Sequence, residues 1–437
     1  MSIAWITITM FSSMIFLMIL GLPVAFATGS VGVLFTAIFQ GPAAVNIIPT
    51  RIFGLMNNYI LGAIPLFIVM ACILERAGLI EEIYEMVHQW LGWLKGGVAA
   101  ATVFACTILA AMVGVIGASV VTMGMIALPE MLRRNYNKYI ACGSIVAGGS
   151  LGILIPPSIM LIIYGMIDNT SIGQLYAGAF LPGLLLSGLF MGYIIIRAYI
   201  DPATGPAIPK EERLSWKAKI KLLMPVLPAA LLIFLVLGTI IFGVAAPTEA
   251  AAVGAFGAIL IAASRRTLTW KKLISACEQT MKTSAMVLWI MFGANIFVAF
   301  YVMAGGGDFV REMLLGSGLS KWGILIIMQV IFVVLGCFID WVGIFMLCIP
   351  LFGPIIRELG FDPVWFGVLV TVNMQLSFLS PPFGYALFFL KGVAPPEIST
   401  TDIWRGAAPF IGLQLIGLVL CILFPDIILV VPRLLFR

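Results

Sequence analysis

Ser119, Ser150, Ser377, Ser380 and Asp340 are oxygen-bearing side chains set in otherwise apolar sequence. Hydroxyl and carboxylate oxygens are hard ligands, suited to sodium better than to a transition metal. The backbone beside them supplies more oxygen. Pro156 and Pro157 interrupt the apolar run Gly148–Gly165, and each proline lacks an N–H and clashes with the carbonyl four residues back. Gly152 and Ile153 therefore lose their helical partners, and Pro381 and Pro382 do the same to Ser377 and Phe378. Unsatisfied carbonyls cannot face lipid, and helices broken at mid-membrane are a recurrent way for transporters to hold an ion. The alternative is a plain proline kink, or two short spans meeting at a loop. A carboxylate such as Asp340 costs roughly 2.5–3.5 kcal/mol at helix-centre depth, which makes it a functional candidate; its alternative role is to cap a half-helix or reach water. Glu249, in Ala-Pro-Thr-Glu-Ala, reads as ordinary helix-start chemistry.

Enzyme chemistry finds little support. The single histidine, His88, falls on the polar face of an amphipathic helix, where solvation is expected rather than catalysis or metal binding. The seven cysteines are scattered with no Cys-x-x-Cys pair and read as packing residues. No Walker A sequence, metal-ligand cluster or Ser/His/Asp set is present, so the reading is no enzyme and no cofactor beyond coupling ions.

The elements that carry these residues are membrane helices. Of 437 residues, 62% are hydrophobic and 10% charged, with mean hydropathy +1.15, which indicates an all-α polytopic membrane protein in a lipid bilayer. The net charge of +5 needs no nucleic-acid partner. The N-terminus has no basic leader and is expected to be a first transmembrane helix. Spans are predicted at 3–20, 23–39 and 59–75, with a connecting segment at 40–58 and an interfacial helix at 79–94. Residues 98–131 are too many for one span of roughly 20 and too few for two. They predict a re-entrant hairpin with its tip near Gly114–Ser119, where Gly114 and Gly117 permit close backbone approach. A broken helix at about 139–166 and a span at 176–197 follow. Beyond a charged linker come spans at 223–243, 247–264 and 283–304, a second hairpin at about 322–354, a second broken helix at about 364–390, and a last span at 407–431.

The two halves read as a repeat. Pro156 and Pro157 recur as Pro381 and Pro382, Pro129 as Pro354, and Tyr136 as Phe361, all on one register. Residues 1–200 form the first repeat, 201–221 a cytoplasmic linker, and 222–437 a second repeat. With the linker in the cytoplasm, only Arg51, Arg311, Lys321, Arg357, Arg433 and Arg437 of the 24 Lys and Arg fall outside. The positive-inside rule then orients the halves oppositely, with both termini outside.

The run Leu-Gly-Ile-Leu-Ile-Pro-Pro-Ser-Ile-Met-Leu-Ile-Ile-Tyr-Gly (151–165) resembles the signature of the large membrane subunit of TRAP transporters, the tripartite ATP-independent periplasmic transporters. Ile64-Pro-Leu-Phe67, Leu128-Pro-Glu-Met131, Pro247-Thr-Glu-Ala250 and Ser380-Pro-Pro-Phe-Gly384 fall where that family has similar motifs. The resemblance implies an inverted-repeat, sodium-driven elevator transporter for organic acids in a bacterial inner membrane. It also implies two partners, a small four-helix membrane subunit and a periplasmic substrate-binding protein. It would place one sodium site among Gly114, Gly117, Ser119, Ser150, Gly152, Ile153 and Pro156. The second would lie among Gly336, Asp340, Gly343, Ser377, Phe378 and Ser380, with substrate between them near Ser119, Ser158 and Asn373. The chain departs from the family in a first hairpin tip poor in serine and in Ser380 where threonine is common. The alternatives are a stand-alone sodium/carboxylate elevator carrier, or an ion-binding channel or structural subunit.

Overall fold

Glycine, proline and polar clusters divide the apolar sequence into twenty-one α-helices. They are seen in a computed structural model that describes residues 2–114, 116–381 and 384–436; among these there is no strand. In the first half, α1 (Ile3–Ile19) and α2 (Val24–Gln40) are parted by Gly21-Leu22-Pro23. They are followed by α3 (Ile47–Met56), α4 (Ala63–Arg76) and α5 (Leu79–Leu91). Helices α6 (Gly97–Val113) and α7 (Ile116–Arg133) lie against each other as a hairpin. Next come α8 (Lys138–Ser150) and α9 (Ile159–Asp168), the two pieces of the proline-broken stretch, and then α10 (Ile172–Ile200).

The linker contains α11 (Trp216–Lys221). After it stand α12 (Leu227–Ile241), α13 (Pro247–Ser264), α14 (Trp270–Met303), α15 (Gly306–Leu315), α16 (Lys321–Gly336) and α17 (Trp341–Glu358). The chain finishes with α18 (Pro363–Leu379), α19 (Tyr385–Val393), α20 (Thr400–Leu423) and α21 (Asp426–Leu435). Among the described residues seven helices are long and apolar enough to cross a membrane, and shorter apolar helices accompany them. An offset of 225 residues, the separation of Ser150 and Gln375, carries α7 onto α17 and α8 onto the start of α18.

Three expectations need correction. The helix expected at 283–304 begins at Trp270, because Thr269 Oγ1 caps the Lys272 N–H at 3.3 Å and starts a polar stretch before the apolar part. The span expected at 407–431 is two helices, since Pro425 cannot donate a backbone N–H and α21 starts afresh after it. His88 is buried rather than solvated. The linker folds over α5: Ile208 N donates to Gly92 O (2.8 Å), Leu214 N to Gln89 Oε1 (3.3 Å), and Trp90 Nε1 to Lys219 O (3.2 Å). Burial pushes the His88 pKa down, and its ring stacks on Tyr84 with centroids 5.6 Å apart.

Packing separates the helices into two groups. Helices α2, α4, α12, α13 and α14 pack on one another, while α6 to α9 pack with α16 to α20. The groups meet chiefly where α14 touches α17 and α4 touches α6. Within each group small residues bring backbones together, as membrane helix packing requires. A Cβ on Gly293 would stand 2.1 Å from Ala25 O, and one on Gly143 2.2 Å from Gly406 O.

An ion pair ties the broken stretch to the second hairpin. Asp168, at the end of α9, accepts from Arg357 at the end of α17 (2.7 Å) and from Thr170 Oγ1 (2.6 Å). The Asp168 side chain is 3% exposed but Arg357 is 43% exposed. Removing the cation should therefore cost about 1–3 kcal/mol, between the values for surface and buried pairs. Arg357→Ala is expected to lower the thermal unfolding midpoint in detergent. Adding Asp168→Asn should recover part of the loss; no shift in Arg357→Ala would show that the pair adds nothing.

Candidate functional site

Each hairpin ends against a helix break. In the first half α6 stops at Gly114, whose φ of +60° suits glycine. A Cβ there would lie 2.9 Å from Pro157 O, and one on Gly149 would lie 2.3 Å from Val120 Cγ2, so the hairpin closely covers the break. Between α8 and α9 the chain tightens: Leu154 N and Ile155 N both donate to Leu151 O, at 3.0 and 3.1 Å. The Ile153 carbonyl, expected to be free, accepts from Ser158 Oγ. The Ser158 hydroxyl replaces the N–H that Pro157 lacks and also accepts from Leu161 N at 3.4 Å, capping α9.

The second half repeats the theme with different side chains. Helix α16 ends at Gly336, and a Cβ there would fall 1.8 Å from Ser377 Oγ. Asp340 caps α17, its Oδ1 accepting from Val342 N at 3.0 Å. Ser380 Oγ donates to Leu376 O at 2.7 Å where α18 ends. Pro382 and Phe383, within the second proline motif, and Val115, at the first hairpin tip, lie outside the described residues.

The two breaks also touch each other. Ser150 Oγ lies 2.8 Å from Ala147 O and 3.3 Å from Gln375 Oε1, and accepts from Gln414 Nε2 at 3.1 Å. Asn373 Nδ2 donates to Gln329 Oε1 at 2.7 Å. These side chains are buried. Four buried oxygens near the hairpins and breaks have no hydrogen-bond partner among the described residues: Ser119 Oγ, Ser377 Oγ, Asn373 Oδ1 and Gln414 Oε1. Buried polar atoms are ordinarily paired, so these oxygens fit a hard cation as a missing partner.

A cavity of about 560 Å³ opens between the hairpin tips, the breaks and α14. Ile116, Ile159, Trp341 and Tyr385, the first residues of α7, α9, α17 and α19, all line it. Four helix N-termini, each worth about half a positive charge, thus converge on one space. Gly114, Ile153 and Phe378, close to the carbonyl ends of α6, α8 and α18, line it too. Asp340 is the one carboxylate on the wall among the described residues, and no Lys or Arg is there. The space can take an anion at the N-termini and a small cation at the carbonyl ends.

Of the residues singled out from sequence, Gly114, Gly117, Ile153, Asp340 and Phe378 reach this wall. Gly336 and Ser377 touch each other behind it, while Ser119, Ser150, Gly152, Pro156 and Asn373 are buried in the packing around it. Ser158 is occupied as a cap and Ser380 is bonded to its own helix. A Cβ on Gly343 would stand 3.0 Å from Ile339 at the hairpin tip and 3.3 and 3.7 Å from Val24 and Ile290, which line the cavity. Glu249 Oε2 accepts from Ala246 N at 2.9 Å, which is helix-start chemistry. Sequence reasoning missed Thr283 and Tyr385 on the wall and the glutamines behind it. The repeat register pointed to Gln375, opposite Ser150, and Gln414 stands alone in apolar sequence.

The family model for the DctM component of the tripartite ATP-independent periplasmic transporter matches residues 11–427. The chain is 31% identical to the C4-dicarboxylate TRAP transporter large permease protein DctM of Vibrio cholerae, over 98% of this chain and 97% of that one. It is 30% identical to the ectoine TRAP transporter large permease protein TeaC of Halomonas elongata, over 99% and 100%. The fold is similar to the YdaH transporter of Alcanivorax borkumensis, with TM-score 0.61 at 17% identity, covering 88% of this chain and 90% of that one.

The contact of Gly336 with Ser377 generates a test. Alanine is the better helix former by about 1 kcal/mol, but overpacking costs about 1–3 kcal/mol. Here the new methyl would meet both Oγ and Cβ of Ser377, at 1.8 and 2.4 Å. Gly336→Ala should therefore lower the detergent unfolding midpoint, and Ser377→Gly in the same chain should restore it. An unchanged or raised midpoint would refute the contact.

Proposed function

The chain belongs to the family of DctM components of tripartite ATP-independent periplasmic transporters, and from that membership we propose that it is the translocating subunit of a sodium-coupled importer of a small organic acid. As a large permease of this family it is a multi-pass protein of the bacterial inner membrane, a subunit of a secondary transporter and not an enzyme. The name of the system calls for two further components. In our reading they are a small four-helix membrane subunit and a periplasmic protein that delivers the solute.

The observation that carries this reading is the meeting of four helix N-termini and several carbonyl ends at one cavity. N-termini favour the carboxylate of a solute, and carbonyl ends favour sodium. The unpartnered Ser119 and Ser377 hydroxyls supply ligand oxygens for two cation sites. Solutes of different shape name the relatives, a C4-dicarboxylate in one and ectoine in the other. The helix order shared by the halves, and the Ser150–Gln375 contact between equivalent positions, support an inverted repeat. The looser junction between the two helix groups supports an elevator motion of the group that holds the cavity's hairpins and breaks.

Uptake of radiolabelled organic acid into proteoliposomes tests the proposal. The vesicles would hold this chain and its small subunit, with binding protein outside and an inward sodium or potassium gradient. Uptake is expected to need both sodium and binding protein. Ser377→Ala should raise the half-saturating sodium concentration about tenfold, as for loss of a contact to a charged group, and Asp340→Asn should abolish coupling. Uptake without binding protein would favour the stand-alone carrier, and uptake indifferent to sodium would overturn the cation sites.

A further inference from the structure

A second cavity of about 510 Å³ lies between α4, α7 and α14. It shares Gly117, Thr283, Met286 and Phe389 with the first, so the two adjoin at these residues. A Cβ on Gly117 would stand 3.2 Å from the Phe389 ring, so these two shared wall residues lie close together. The walls differ in charge. The first cavity carries Asp340 and no cation among its described residues, whereas the second carries Arg76 and Lys282 against one carboxylate, Glu75.

Both cations are available to an anion. Arg76 is held by neutral partners: its guanidinium donates to Cys72 O (3.1 Å), Ser275 O (3.2 Å) and Ser275 Oγ (3.1 Å). Among the described residues neither Arg76 nor Lys282 lies in a salt bridge. Arg76 sits beside α14's basic first turns, where Lys272 Nζ donates to Arg76 O at 2.8 Å. That is the cytoplasmic side by the charge distribution of the loops.

We propose that this inner cavity is a second carboxylate-binding site, a release station that takes the solute from the central cavity before it enters the cytoplasm. The inference rests on the import reading above. A carboxylate leaving four helix N-termini would otherwise cross apolar wall with no compensating charge. Arg76 and Lys282 supply that charge one step nearer the cytoplasm. Both line a cavity that adjoins the first at four shared residues, and with Arg76 half-buried and Lys282 exposed an anion can reach them.

The test uses the full chain with Cys277→Ser, which removes the exposed cysteine, and Gln279→Cys as a reporter on the inner wall. A membrane-impermeant maleimide is applied from the cytoplasmic face in vesicles, with succinate, sulfate or mannitol present. Succinate is expected to slow labelling several-fold relative to mannitol and more than sulfate does. Lys282→Glu should abolish the protection and Lys282→Arg should keep it. No protection, equal protection by sulfate, or protection that survives Lys282→Glu would overturn the inner site. Sodium-driven uptake is measured on the same vesicles. Lost uptake with protection intact strikes only the import reading; intact uptake with no protection strikes only the release station.

Discussion

Backbone groups freed inside a membrane have no water to turn to, and the architecture follows from that constraint. Prolines stop α8 and α18 partway, which leaves carbonyls and N–H groups at a depth where each unpaired group is costly. Ser158 answers part of the demand at the first break by bonding the Ile153 carbonyl. The hairpins answer the rest by covering the breaks at distances only glycine allows, at Gly114 and Gly336. Neither break is complete alone, because Ser150 from one and Gln375 from the other share a hydrogen bond that Gln414 closes from α20. Breaks, hairpins and the last long helix thus depend on one another.

The same constraint sets the polarity of the cavity wall. N-terminal and C-terminal helix ends of opposite polarity face one space. An anion alone would satisfy the first and leave the second, and a cation alone the reverse. Occupancy by both would satisfy both, so under the proposed function each ligand would bind more favourably beside the other. That mutual gain is a coupling free energy and is reciprocal by linkage. Helix ends can hold such a pair with few charged side chains, which explains why a 437-residue transporter can carry only 10% charged residues.

Much of this was legible in the sequence because prolines, glycines and apolar run lengths act locally. The all-helical membrane class and the ends of α8 at Ser150 and of α18 at Leu379 follow from such signals, and α13 begins at the Pro247 that marks it. What escaped depends on which face meets which neighbour. His88 has the spacing of a solvated residue, but a linker more than a hundred residues away covers it. The start of α14 was hidden because lysines end an apolar run without ending a helix. Ile153 looked free because the rule for proline counts backbone donors and omits a hydroxyl five residues on.

A repeated backbone does not imply a repeated site. On the register that pairs Ser150 with Gln375, Asp340 corresponds to Val115, Ser377 to Gly152, and Ser119 to Ile344. The two halves thus supply similar helix ends but different oxygens, with the carboxylate in the second half alone. Two cation sites built this way, as proposed above, would be unequal in charge: the second, with Asp340, would bind a cation more strongly and retain it longer than one made of carbonyls and a hydroxyl. The first site then depends more on its neighbours, including the anion beside it. Under this reading the first half, which brings no carboxylate to the cavity wall among the described residues, is where solute binding and sodium binding would be most closely linked, because there the protein supplies the least charge of its own.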